Sequence, residues 1–386
     1  MLNNWPYYET DEINLVSQIL SNGKVSTPNG TYGEKFETGF ASFSNCKYAL
    51  RLSNGTAALI AAYKSFNLKI GDEVITTPRS FIATTSAAVE LGLIPVFADV
   101  DINSGNITAE SIEPLINKKT KVISVVHIGG YPADMEKIQK LAKEYNLFLL
   151  EDCSQAHGAA INGKSVGSFS DIATWSFCND KIISTGGEGG MITTNNKDLY
   201  EYVLSYRNHG KVQNKRNIKD DYLYKWVHDS IGVNLRLTEM QSAIGLIQLK
   251  KINLWHLKRK YNAQLFIKAI QDIPSVRIPS IPENYRHAWY KFYFYVNVEK
   301  LESNWTRNRI IKEINLLGFP AFQGSCSELY LENGLKNNVS KLDYRLTNAK
   351  LLGETSVMLL IHPTITKSQI KKYINAVRSI LNKATF

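Results

Sequence analysis

Apolar residues Ile13, Val16, Ile19 and Leu20 share one helical face, and Asn22-Gly23 ends the run, predicting a helix over 11–20. A Gly/Ser/Thr/Pro-rich loop (Gly23 to Gly33) and a second amphipathic helix (Glu34 to Phe43) follow. From there apolar strands alternate with helical stretches. Strands are expected at Cys46–Leu52, Glu73–Thr77, Pro95–Asp99, Lys121–His127, Leu147–Glu151 and Ile172–Phe177. Helices are expected at Ala57–Phe66, Ser80–Leu91 and Asp134–Tyr145, with a short one around Ile112–Leu115. This alternation indicates an α/β fold with a large, mostly parallel sheet. Such sheets take ligands at the carboxyl ends of their strands.

Beyond residue 195 the pattern changes. Asp198–Asn208 reads as a helix and Gly210–Val227 as a polar, basic, aromatic loop. Thr238–Leu254 and Lys258–Ile270 read as two helices, and the prolines of Pro274–Pro282 as a linker. Tyr290–Val298 and Val357–Ile361 read as strands, and Trp305–Leu317 and Thr366–Leu381 as helices, the last opened by the capping box Thr366-x-x-Gln369. The expected division is a large α/β domain over 1–250 and a smaller C-terminal α+β domain over 251–386.

The 386 residues are 44 % apolar, ample for a packed core. Apolar runs such as Ala57–Tyr63 are too short to span a bilayer, and the N-terminus lacks the pattern of a secretory signal. The four cysteines, Cys46, Cys153, Cys178 and Cys326, are scattered, which suits a reducing compartment and argues against a disulfide framework or zinc site. These features lead us to expect a cytoplasmic protein with no membrane association. A net charge of +10 favours anionic partners. No nucleic-acid-binding motif accompanies it; a phosphorylated small molecule fits as well, and simple solvated surface charge fits best.

Four polar features fall at predicted strand ends or helix starts. Ser53-Asn54-Gly55-Thr56 precedes an alanine-rich helix, where backbone N–H groups can meet a phosphate or simply form a capped turn. Phe81 could cover a flat ring or pack in the core. Asp152, in Glu151-Asp152-Cys153-Ser154-Gln155, ends an apolar strand and needs a cation or several donors, or serves as a helix cap. Lys181 follows Ser176 on the stretch Asp171–Gly190 and is backed by the glycine turn Gly186–Gly190. It is either a held amine or a solvated surface charge. Together they supply what pyridoxal 5'-phosphate requires: a lysine, an acid for the pyridine nitrogen, an anion site and an aromatic cover.

The motifs SNGTAAL (53–59), TPRSFIAT (77–84), PVFADVD (95–101), EDCSQAHGA (151–159), SFCNDKIISTGGEGG (176–190) and GVNLRLTEMQSAIGLIQL (232–249) resemble those of the DegT-type sugar-nucleotide aminotransferases. HAWYKFYF (287–294) and LGETSVMLLIHPT (352–364) are similar to that family as well. The resemblance implies the fold-type I aminotransferase architecture and pyridoxal 5'-phosphate as cofactor. Lys181 is then the lysine that binds the cofactor covalently and moves the proton, and Asp152 pairs with the pyridinium nitrogen. Gln155 lies near the ring oxygen, and Phe81 stacks on the ring. Gly55, Thr56 and Ser176 hold the phosphate. Asn234 resembles a residue that reaches the phosphate from the neighbouring subunit, implying a homodimer with shared active sites. The implied substrates are L-glutamate and a nucleotide-diphosphate keto-sugar, aminated at C4 or, alternatively, at C3, for surface polysaccharide or amino-sugar synthesis. A non-catalytic regulatory descendant of the fold is a further alternative.

One departure stands out. Family members often carry T-G-E-G-G after the lysine, whereas Thr185-Gly186-Gly187-Glu188-Gly189-Gly190 is one glycine longer, which leaves the placement of Glu188 open. His157 and His362 are expected to be structural, and His209 to lie near the substrate.

Overall fold

The computed structural model describes residues 2–26, 30–211 and 228–386. Most of the expected loop Gly210–Val227, and part of Gly23–Gly33, lies outside these residues.

A seven-stranded sheet forms the larger layer, in the order Tyr48–Leu52, Gly190–Thr194, Ile172–Ser176, Phe148–Asp152, Thr120–Val126, Glu73–Thr76, Ile94–Phe97. Gly190–Thr194 runs against both its neighbours, and every other pairing is parallel. Helices cover both faces, which explains why Ile172–Ser176 is buried along its whole length. Leu52, Asp152 and Ser176 all end strands at one edge of this sheet.

A second, antiparallel sheet runs Val276–Arg277, Phe292–Val296, Ser356–Leu359, Ala321–Phe322. Its first strand lies inside the expected proline linker. Helices Arg307–Leu316 and Lys367–Ala384 close a core that includes Phe266, Phe294, Ile314 and Val377. A small ribbon of Ala160–Ile161, Lys164–Ser165 and Tyr285–Arg286 ties the two regions together.

The two helices expected over 238–270 are one, Glu239–Ile270. The residues between them, Trp255-His256-Leu257, break the apolar stripe, but without Gly or Pro they do not break the backbone hydrogen-bond ladder. Thr238 and Gln241 cap its start reciprocally. Its N-terminal half packs on Tyr32–Phe43, where Gly245 is required because a Cβ would stand 2.6 Å from the Phe36 ring. Its C-terminal half enters the core of the smaller sheet, so the expected boundary at 250 falls inside the helix. No described helix is long and apolar enough to cross a membrane.

Candidate active site

A cavity of about 1340 Å³ opens at the carboxyl ends of the parallel strands. It exceeds the roughly 300–1,000 Å³ of an ordinary small-molecule pocket. Lys181, Asp152, Gly55, Thr56, Phe81, Gln155 and Ser176 all line it. Of the residues expected to hold the cofactor, Asn234 alone does not.

The turn after Tyr48–Leu52 feeds the helix Gly55–Ser65. The Asn54 side chain caps it by accepting from Ala57 N at 2.8 Å. The N–H groups of Gly55 and Thr56 have no intrahelical acceptor, as in any first turn. Close packing defines the space around them. A Cβ on Gly55 would stand 2.8 Å from Ser176 Cβ, and one on Gly190 would stand 2.3 Å from the Asn54 carbonyl oxygen. Two glycines thus let the helix start, Ser176 and the lysine loop meet. The result is a cradle of N–H and hydroxyl donors fit for a phosphate.

Asp152, buried at the end of its strand, accepts from Thr84 Oγ1 at 2.7 Å and from Ser154 N at 3.1 Å. It makes no ion pair among the described residues. Neutral donors therefore hold its carboxylate in place and leave its charge for a cationic ring nitrogen. Gln155 is oriented by Gly129 N, which donates to its Oε1 at 2.8 Å. Phe81 is 67 % exposed, which excludes the core-packing alternative and leaves an aromatic face in the cavity. These residues fit pyridoxal phosphate: a donor cradle, an acid on a strand end, a free aromatic face and an amine.

That amine, Lys181, is 13 % exposed. Its Nζ donates to Tyr290 Oη at 3.4 Å and lies 3.6 Å from Asp180 Oδ1. The Tyr290 hydroxyl donates in turn to Asp180 Oδ2. Burial opposes ionisation of Asp180, but Lys181, the Tyr290 hydroxyl and Lys291 outweigh it and hold the carboxyl at about 2. Burial, reinforced by Asp180, pushes the Tyr290 phenol well above its ordinary value. The Lys181 carbonyl accepts from Trp5 Nε1 at 2.8 Å, so the N-terminal segment forms part of the site.

The longer glycine turn also finds its explanation. Gly186 and Gly187 have φ of 82° and 117°, open only to glycine without strain, and a Cβ on Gly187 would meet nothing within 4 Å. The added length bulges outward there. Glu188 stays at the cavity, its carbonyl accepting from Thr185 Oγ1 and Gln241 Nε2 at 2.7 and 2.8 Å.

His157 is buried among the rings of Phe40, Trp175 and Phe177. His362 lines the cavity and stacks on Trp5. His209 lies outside the cavity lining, and its backbone N–H donates to Val233 O. Asn234 is exposed on the same segment, beside Ile231, which is 95 % exposed.

Sequence reasoning missed Trp5, Thr84, Arg259, Tyr290 and Lys291. Two of them left a trace. Thr84, in the first turn of the helix Ala83–Val89, lies four residues after Ser80, and the two hydroxyls meet at 3.1 Å. Arg259 occupies the buried face that Ile252, Ala263 and Phe266 mark on the long helix, a cation in an apolar stripe. Trp5 carried no local signal.

The family model for the DegT/DnrJ/EryC1/StrS aminotransferase family matches residues 6–378. An aminotransferase from Psychrobacter cryohalolentis has a solved structure that superposes with a TM-score of 0.96, at 43 % identity over 100 % of both chains. The GDP-perosamine synthase of Escherichia coli O157:H7 is 38 % identical over 265 residues, 69 % of this chain and 70 % of that protein. The dTDP-3-amino-3,6-dideoxy-alpha-D-galactopyranose transaminase of Aneurinibacillus thermoaerophilus is 38 % identical over 285 residues, 74 % of this chain and 75 % of its own. With a model match over nearly its whole length and relatives 38 % identical over more than two thirds of it, the chain belongs to the DegT/DnrJ/EryC1/StrS aminotransferase family.

Proposed function

We propose that the chain is a pyridoxal-phosphate-dependent aminotransferase that moves an amino group from L-glutamate onto a nucleotide-linked 4-keto-6-deoxy sugar. One observation carries this reading: Lys181, Asp152 and the Gly55–Thr56–Ser176 cradle converge on a single cavity large enough for a cofactor and a sugar nucleotide. The two named relatives act on GDP- and dTDP-linked sugars.

When bound, the cofactor supplies an electron sink for the carbanion at the reacting carbon. The chain's own residues do the rest. Gly55 N, Thr56 N and Ser176 hold the phosphate. Asp152, fixed by Thr84, keeps the ring nitrogen protonated. Phe81 covers the ring, and Gln155 steadies its oxygen. Lys181 carries the proton to and from the reacting carbon, with Tyr290 and Asp180 setting where its amine rests. Donor and acceptor take turns at the same cavity, a ping-pong order. Two further elements of the reading concern assembly and place. Asn234 and the exposed Ile231 segment face a second subunit, in a homodimer whose active sites are shared. The enzyme works in the cytoplasm, consistent with four free cysteines.

Purified protein tests the reading directly. With added pyridoxal phosphate it should show a visible absorbance band that Lys181→Ala abolishes. A wild type that stays colourless would refute the enzyme assignment. Glutamate-dependent amination across 3-keto and 4-keto sugar nucleotides then fixes the position, C4 being expected.

A further inference from the structure

The wall of the cavity facing the sheet holds more positive charge than the chain itself neutralises. Lys291 lines the cavity, 13 % exposed, and its one ion pair among the described residues is with Asp180 Oδ2 at 3.7 Å, longer than a hydrogen bond. Arg259, also on this wall, is 1 % exposed. One of its nitrogens donates to the carbonyls of Trp289 and Tyr290 at 3.4 and 3.1 Å and the guanidinium lies over the Trp5 ring at 5.0 Å, while Nε and the other terminal nitrogen have no hydrogen-bond partner. No carboxylate pairs with it among the described residues. Asp180 must therefore answer for Lys181, Lys291 and Arg259 together. A buried cation without a counter-charge is costly, so a site built this way is completed by an anion that arrives with the substrate.

The position of Lys291 selects which anion. Lys181 and Lys291 lie against the two oxygens of the same carboxylate, at 3.6 and 3.7 Å. An anion on Lys291 is therefore a close neighbour of the nitrogen that reacts. In an α-amino acid the carboxylate sits on the carbon that bears the amine. In a keto-sugar nucleotide the diphosphate is separated from the ketone by the hexose ring. The spacing matches the amino acid. Burial lowers the Lys291 ammonium to about 8, with Asp180 opposing and Arg259 and Lys181 reinforcing. His362, the remaining titratable ring nearby, is neutral, pushed down to about 3 by burial and by Arg259 and Lys291.

Building on the aminotransferase reading, we propose that Lys291, backed by Arg259, is the subsite that receives a carboxylate of the amino donor.

The test uses the pyridoxal-phosphate-loaded enzyme and its first half-reaction, in which L-glutamate alone bleaches the visible band. If wild type responds to another L-amino acid instead, that donor is used throughout. In Lys291→Met the donor concentration for half-maximal bleaching should rise at least tenfold, with the band itself retained. Lys291→Arg should restore it to within threefold, and Lys291→Gln provides a second neutral variant should the methionine not fold. The KM for the keto-sugar nucleotide in full turnover should change less than twofold. A donor requirement within twofold of wild type in both neutral variants overturns the proposal, as does a rise confined to the sugar nucleotide, which would assign Lys291 to the diphosphate. Absence of any visible band in wild type would instead count against the aminotransferase reading itself.

Discussion

The two walls of the cavity handle charge in opposite ways. On the sheet wall, Asp152 is held by a hydroxyl and a backbone N–H, and the cradle at Gly55 is built of N–H groups. Nothing there is neutralised in advance, and each group keeps its charge or dipole for a ligand. On the facing wall, Asp180 is enclosed by Lys181, Lys291 and Tyr290, and its carboxylate is used up within the chain. Two acids in one cavity thus take different parts: one waits for a cation, the other keeps a lysine cluster in order. The sheet wall is made to hold something fixed, and the facing wall to exchange what it holds.

Exchanging the acids should break the comparison most sharply. Asp152→Ala removes the one sheet-wall charge, among the described residues, placed to keep a ring nitrogen protonated. Turnover should fall by about 10³-fold, within the range for a lost acid–base group, while circular dichroism and thermal melting stay near wild type. Unchanged turnover would show that Asp152 has no such part.

This contrast also marks what the sequence could show. Every sheet-wall residue sits within a few positions of a strand end, so alternation of strands and helices is enough to place Ser53–Thr56, Phe81 and Asp152 at one edge. The facing wall is assembled by long-range contacts. Lys181 meets Tyr290 across 109 residues and Trp5 across 176. No periodicity records such pairings, and Tyr290 and Lys291 read only as the start of an aromatic strand. The single helix Glu239–Ile270 shows the same limit, since its N-terminal half packs on Tyr32–Phe43 and its C-terminal half enters the core of the smaller sheet.

Near the cationic wall lie histidines that are buried (His157) or half-buried (His256 and His287), and acid should find them. Burial, with neighbouring positive charge, pushes His157, His256 and His287 down to about 3. In the unfolded chain they take up protons from their ordinary value of 6.5. Their contribution to stability is therefore complete above pH 6.5 and drains away as pH falls toward 3, by about 1.4 kcal/mol per pH unit for each ring. Urea midpoints should drop steeply from pH 7 to pH 5, and His157→Phe should flatten that slope. Equal slopes in wild type and variant would remove His157 from the account.

The cradle offers a steric probe of the sheet wall. Gly55→Ala puts a methyl 2.8 Å from Ser176 Cβ, so Ser176 or the helix start must give way. Overpacking of this kind costs about 1–3 kcal/mol. Cofactor affinity should weaken by about ten- to a hundredfold, as read by titration of the apoenzyme with pyridoxal phosphate. An unaltered affinity would move the phosphate away from this turn.

The finest probe is Thr84, which lines the cavity and whose hydroxyl is bonded to Asp152. Its hydroxyl lies between Ser80 Oγ at 3.1 Å and Asp152 Oδ2 at 2.7 Å. Thr84→Val keeps the shape and deletes one charge-assisted hydrogen bond, worth about 1.5–3 kcal/mol. Part of that loss is recovered because Ser154 N still holds the other carboxylate oxygen at 3.1 Å. We expect kcat to fall by about tenfold with KM for the donor little changed, since Asp152 remains charged but less well aimed. Thr84→Ser should recover most of the rate. Should valine act like wild type, the backbone alone aims Asp152; should serine be as poor as valine, the threonine methyl matters for packing and the hydrogen bond does not.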